Sequence, residues 1–246
     1  RDSKYDPSIA DAVNREVELE EKRTILARKV EPKQEENISE PKLMELGIGR
    51  VYVPALGLYI SKEKYFHNKN WNECQDILHN KGIRMPTIPE FVELLKYLRS
   101  KEGKIKVENA DKILDEIYTV RDPWRREWLD ARFEDKKGMY VSYHTFNSNG
   151  KIVQKTERLE EYLTENRTPG IDLDSWLANP TKQGLPKLDC KKGRSYYWNP
   201  VNGRVAGFIA DSVRAGPFCG GTPGIRDAGF GVRCVELPKQ GEIIIQ

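Results

Sequence analysis

The sequence predicts an α+β protein with a small antiparallel sheet, two or three helices and long loops. Three observations carry this. Apolar residues recur at helical spacing through residues 71–118, short alternating stretches follow from Glu127 onward, and a Gly-rich interval near the C-terminus separates the last two of those stretches.

Residues 1–40 stand apart. From Ser8 to Lys29 the chain is helix-forming and dense in charge of both signs; Ile9, Val13 and Val17 recur at i, i+4 and i+8, then Leu19, Ile25 and Leu26 break the register. That stripe is too thin for a coiled coil, so a solvated helix is expected, with an oligomerisation helix as the alternative. Glu31 to Pro41 carries two Pro and one apolar residue and reads as a linker. A folded domain over 41–246 follows.

Arg50 to Ile60 reads as two short strands around a turn. Trp71 to Asn80 has helical spacing (Trp71, Cys74, Ile77, Leu78) and stops before Gly82. Thr87 with Glu90 forms a capping box with Pro89 in the first turn, and Phe91, Leu94, Leu95 and Leu98 make the apolar face behind it. Ala110 to Tyr118 is a third helix. Glu127–Glu134 and Gly138–Phe146 are strand-like, and Asn147–Gly150 turns the chain into Lys151–Val153. A short helical run is expected at Leu159–Leu163. Strands at Arg204–Ala210 and Phe230–Leu237 flank the Gly-rich loop, and Glu242–Gln246 reads as an edge strand or disorder.

Composition narrows the functional classes. With 38% hydrophobic and 32% charged residues and no long apolar run, neither a membrane span nor a signal peptide is expected. The 41 basic and 38 acidic side chains leave a net charge of +3, too balanced for nucleic acid as partner. Cys74, Cys190, Cys219 and Cys234 lack metal-type spacing; reduced thiols are expected, although Cys219 and Cys234 could meet if their strands pair. His67, His79 and His144 are scattered, Trp124 to Trp128 reads as a packing corner with a buried ion pair, and no nucleophile, zinc, phosphate-loop or dinucleotide motif is present. No enzyme, metal or cofactor is therefore expected.

The tail is unusual. Lys, Glu, Gln, Met and Trp, about a quarter of all residues, are absent from Asn199 to Val235, where eight of the 19 Gly fall. Helix avoidance accounts for part of this. The five missing types also share a genetic property, since no codon ending in cytosine or thymine encodes any of them. A plain Gly-rich connection between two strands is the alternative reading.

Two motifs add a resemblance. Ile83-Arg-Met-Pro-Thr-Ile-Pro-Glu-Phe91 resembles the Arg-Leu-Pro-Thr-x-x-Glu-aromatic helix start of formylglycine-generating-enzyme-like proteins, which have a C-type-lectin-like fold, and Gly229-Phe-Gly-Val-Arg-Cys-Val235 resembles their closing strand. The tail as a whole (Tyr197-Trp198, Arg204 to Phe208, Ser212 to Ala215, Cys219, Pro223, Gly231 to Arg233), with Glu127 to Ala131, resembles the variable proteins of diversity-generating retroelements, particularly those of archaeal viruses and small archaea.

In that family template adenines are mutated during reverse transcription, so AAC codons scatter to codons ending in cytosine or thymine. The resemblance implies a ligand-binding, non-enzymatic protein with a variable region at about 201–233 and, as ligand, a protein. It places the variable positions at Ile209, Asp211, Val213, Gly216, Phe218, Gly220, Thr222, Gly224, Ile225 and Asp227, each pointing to solvent. Phe208, Ala210, Arg214, Ala215, Cys219, Pro223, Ala228, Gly231 and Arg233 would be scaffold. The closely spaced Cys of the formylglycine-generating enzymes and the iron-binding His of the related sulfoxide synthases have no counterpart here, so their catalysis is not carried over. Such an enzyme, or an assembly protein built on the N-terminal helix, is the rival reading.

Overall fold

Side-chain caps start four of the five described helices. The computed structural model describes residues 49–120, 123–212 and 214–238; the expected N-terminal helix and linker, the 242–246 strand and Val213 lie outside the described residues. α1 (Trp71–Asn80) begins at Asn70, whose side chain accepts the Glu73 N–H while the Glu73 carboxylate accepts the Asn70 N–H. α2 (Ile88–Arg99) repeats the arrangement with Thr87 and Glu90. The Glu90 carboxylate also takes both terminal nitrogens of the buried Arg84, at 2.6 and 2.5 Å. α3 (Lys101–Lys106), not foreseen from the sequence, follows at once because Ser100 ends α2 and caps the next turn. α4 (Ala110–Tyr118) lies where expected. α5 (Leu173–Ala178) starts at Asp172 and buries Trp176. The helical run expected at Leu159–Leu163 is absent: both leucines are buried in non-helical chain, their N–H groups donating to Met139 and Pro186.

The strands are β1 (Arg50–Val53), β2 (Leu58–Ser61), β3 (Arg125–Asp135), β4 (Met139–Phe146), β5 (Ile152–Arg158), β6 (Arg167–Ile171), β7 (Ser195–Tyr197), β8 (Val205–Ala210), β9 (Ala215–Gly221), β10 (Phe230–Val232) and β11 (Val235–Glu236). Helices with mostly antiparallel strands make the protein α+β. The main sheet is larger than the small antiparallel one expected. It runs β5-β4-β3-β8-β9, and β10 pairs with β3 in parallel. β3 makes room for this by its length, because β4 pairs only with Arg132–Asp135 and leaves the edge at Arg126–Trp128 open to Phe230–Val232. Five helices, rather than two or three, lie among the described residues.

The single strand expected at Phe230–Leu237 is two strands in two sheets, since β11 joins the β1–β2 hairpin. Arg233 lies between them, fully buried, with Nε 2.8 Å from Glu127 and a terminal nitrogen 3.1 Å from the same carboxylate. This is the buried ion pair read into the Trp124–Trp128 corner, but its cation comes from the distant closing segment. Removing either partner would strand a buried charge.

β8 is buried on both faces. Ala206 and Phe208 enter the larger core with α2 and α4, where the Phe91 and Tyr118 rings lie 5.5 Å from Phe208. Val205 faces the smaller core, where Trp71, Cys74 and Leu78 of α1 meet Trp128, Phe230 and Val232. A strand covered on both sides reads as a continuous apolar run, as Val205–Ala210 does.

Candidate ligand-binding surface

The Gly-rich interval divides into a hairpin and a loop. β8 turns into β9 through Asp211–Arg214, closed by the Asp211 N–H to the Arg214 carbonyl (2.9 Å), the Arg214 N–H to Asp211 Oδ1 (3.0 Å) and an ion pair from Arg214 Nε to Asp211 Oδ2 (2.7 Å). β9 was expected to be part of an irregular loop. It is a strand because β8 pairs with it on one side while Tyr196–Trp198 runs beside it on the other, with the Cys219 N–H donating to the Trp198 carbonyl at 3.1 Å.

That close approach decides which of the sequence-predicted positions can vary. A Cβ at Gly216 would stand 1.9 Å from the Tyr196 carbonyl oxygen, so no side chain fits. Ile209, opposite Gly216, is 6% exposed, and Phe218 is 8% exposed with its ring 5.2 Å from Trp198. The expectation that each predicted position faces solvent therefore fails at Ile209, Gly216 and Phe218. The cause is burial of β8 on both faces and the backbone packed against β9.

Beneath Phe218 lies Arg126, 1% exposed, its guanidinium 4.6 to 5.3 Å from the ring centroids of Phe218, Phe230, Trp128 and Trp124. Four rings thus share one cation and bind the strand to its neighbours.

The remaining predicted positions behave differently. Asp211, Gly220, Thr222, Ile225 and Asp227 are half-buried, Ile225 packing against the smaller core contrary to expectation, and Gly224 is exposed with open space where a Cβ would stand. Most belong to the 222–229 loop, which is fixed through its backbone, through Arg226 and in part through two of the predicted positions themselves, Thr222 and Asp227. The Trp71 N–H donates to the Pro223 carbonyl at 3.0 Å, and Arg226 forks onto the Glu73 carboxylate at 2.8 and 2.5 Å. Asp227 accepts the Gly229 N–H at 2.7 Å, and Thr222 accepts a hydrogen bond from Arg204. The loop therefore stands on the N-terminal end of α1.

Sequence reasoning missed part of this surface. Tyr196 and Trp198 are half-exposed and stack at 5.8 Å, with the Arg214 guanidinium 4.8 Å from the Trp198 ring. The signal was the alternation in Tyr196-Tyr197-Trp198, since Tyr197 points the other way, buried, and donates its hydroxyl to the Leu163 carbonyl at 2.8 Å. Arg214, taken as scaffold, shares this platform.

Elsewhere, two of the scattered histidines meet. The His79 and His144 rings lie 4.4 Å apart, and His144 Nδ1 is 3.2 Å from the fully buried Asp130, which also accepts from Gln75 at 2.6 Å. Burial and the His144 ring lower the His79 pKa. Among the described residues no group of three His, Cys, Asp or Glu could hold a metal ion, and no helix is long and apolar enough to cross a membrane. All four cysteines are free and buried, and burial raises the pKa of the Cys219 thiol. No protein-family model, curated protein or solved structure matches the chain.

Proposed function

We propose that the chain is a non-enzymatic, receptor-like ligand-binding protein with a C-type-lectin-like domain, displaying a surface diversified by a retroelement, and that its ligand is a protein. One observation carries the reading: the interval that lacks every residue type unavailable to codons ending in cytosine or thymine contains an accessible loop seated on a rigid helix and sheet. Loops held by a fixed scaffold are where recognition residues concentrate.

The variable set is refined to Asp211, Val213, Gly220, Thr222, Gly224, Ile225 and Asp227, with Ile209, Gly216 and Phe218 moved to the scaffold. The half-exposed Tyr196 and Trp198 beside this set supply aromatic anchors that the copy's own variable residues lack. Burial of Cys219 disfavours the rival in which it acts as a catalytic thiol, because an inert buried thiol is a poor nucleophile.

The nucleotide sequence of the gene tests the diversification. The seven codons should end in cytosine or thymine, and a near-repeat close by should carry adenines at those codons and none at Gly216. A missing repeat sinks the claim. Copper or iron bound stoichiometrically to the purified chain would favour the enzyme rival instead.

A further inference from the structure

The closing segment that ends the Gly-rich interval also backs a cavity of about 380 Å³ on the other side of β10. Its walls are the 62–67 segment after β2 and the first two turns of α4, from Asn109 to Glu116. Gly231 lies behind it; a Cβ there would stand 3.1 Å from Lys64 Cβ and 3.3 Å from the His67 ring.

Lys64 is 9% exposed, yet its ammonium reaches no carboxylate within ion-pair distance; its hydrogen-bond partner is the Gly229 carbonyl at 3.5 Å. A buried lysine whose nearest carboxylates, Glu127 and Glu116, act only from beyond ion-pair distance is costly. Backbone strain gathers at the same place. Of five non-glycine residues with left-handed φ among the described residues, Phe66 (54°) and Asn109 (61°) lie in the two segments that wall the cavity, and Asn68 (59°) directly follows the first. Strain of this kind clusters at functional sites.

We propose that this cavity binds small aldehydes or ketones bearing an anionic group, and that Lys64 is the amine that captures them. The neutral amine of Lys64 attacks the carbonyl carbon. Both amine protons leave with the carbonyl oxygen as one water, and an imine joins Lys64 to the ligand, with no net oxidation or reduction.

The charges around the cavity suit this division. Burial lowers the Lys64 pKa, with Arg125 and Arg233 acting in the same direction and Glu127 and Glu116 opposing. The Glu116 and Glu127 carboxylates are turned toward Arg233, at 3.6 and 2.8 Å. At the cavity's mouth Lys62 lies 3.6 Å from Glu108, and Lys112, with no carboxylate partner, is placed to receive the ligand's anionic end; Glu63 on the same rim favours a small ligand over a polyanion.

The test uses the full chain, pyridoxal phosphate as anionic aldehyde, pyridoxal as its uncharged counterpart, and borohydride to fix any imine before peptide mapping. Lys64 should carry several-fold more label than the exposed Lys137 and Lys155. The phosphate form should label it better, and Lys112→Gln should erase that preference. Lys64→Met, with its melting temperature unchanged, should lose the labelled peptide. Should that variant not fold, mapping of the unmodified chain decides alone. Label spread evenly over exposed lysines, or absent from Lys64, overturns the proposal, and equal labelling by the two aldehydes overturns its anionic part.

Discussion

The β8–β9 hairpin and the 222–229 loop have similar residue composition and opposite tolerance for change. Both are rich in Gly and both lack Lys, Glu, Gln, Met and Trp. In the hairpin, backbone lies on both sides of β9, so Gly216 is held against Tyr196 while Ile209 and Phe218 are buried. In the loop, attachment runs through the Pro223 carbonyl, the Arg226 side chain and the Asp227 turn, leaving the space at Gly224 open. Gly216 marks contact and Gly224 the lack of it, while Gly229, where the loop ends, is again held against backbone, a Cβ there standing 2.4 Å from the Trp124 carbonyl oxygen.

Substitution should separate the two regions, most sharply at Gly216. Gly216→Ala should prevent folding or cost on the order of 3 kcal/mol in urea unfolding, since its Cβ meets backbone rather than a movable side chain. Phe218→Asn follows, at about 3 kcal/mol, because the ring over Arg126 and beside Trp198 is lost and a polar group buried. In the loop, Arg226→Ala should cost no more than about 1 kcal/mol, its ion pair with Glu73 being solvent-exposed. Gly224→Asn should lie within about 0.5 kcal/mol of the parent.

The footing of the loop can also be loosened from the far end of α1. His79 binds protons less readily in the folded chain than in the unfolded one, owing to burial and His144, with Arg84 reinforcing and Asp130 and Asp76 opposing. A depressed folded pKa means its contribution to stability is complete above the ordinary histidine value of about 6.5 and is lost as pH falls below it. Melting temperatures from pH 7.5 to 5 should fall less steeply for His79→Gln than for the parent. Equal slopes would place the acid response elsewhere.

Much of the fold was legible because its signals are local. The box at Thr87 and Glu90, the turn at Asn147–Gly150 and the apolar face of Ala110–Tyr118 each need only a few neighbouring residues. What escaped depends on distant partners. Phe230–Val232 pairs with β3 in parallel more than a hundred residues back, and Arg233 leaves the strand register to reach Glu127. The site was legible as an interval but not residue by residue. Gly216 is closed off by Tyr196 while Gly224 meets no neighbour, and nothing in the Gly-rich stretch itself encodes that difference.

The central claim is that division of labour, and a pair of display libraries tests it most directly. One randomises Thr222, Gly224, Ile225 and Asp227 with codons ending in cytosine or thymine; the other randomises Ile209, Gly216 and Phe218 in the same way. The measurement is the fraction of clones that resist proteolysis. The account predicts that far more loop clones than hairpin clones survive, the hairpin library being reduced to clones that keep Gly216. Equal survival of the two libraries, or collapse of the loop library, would contradict it.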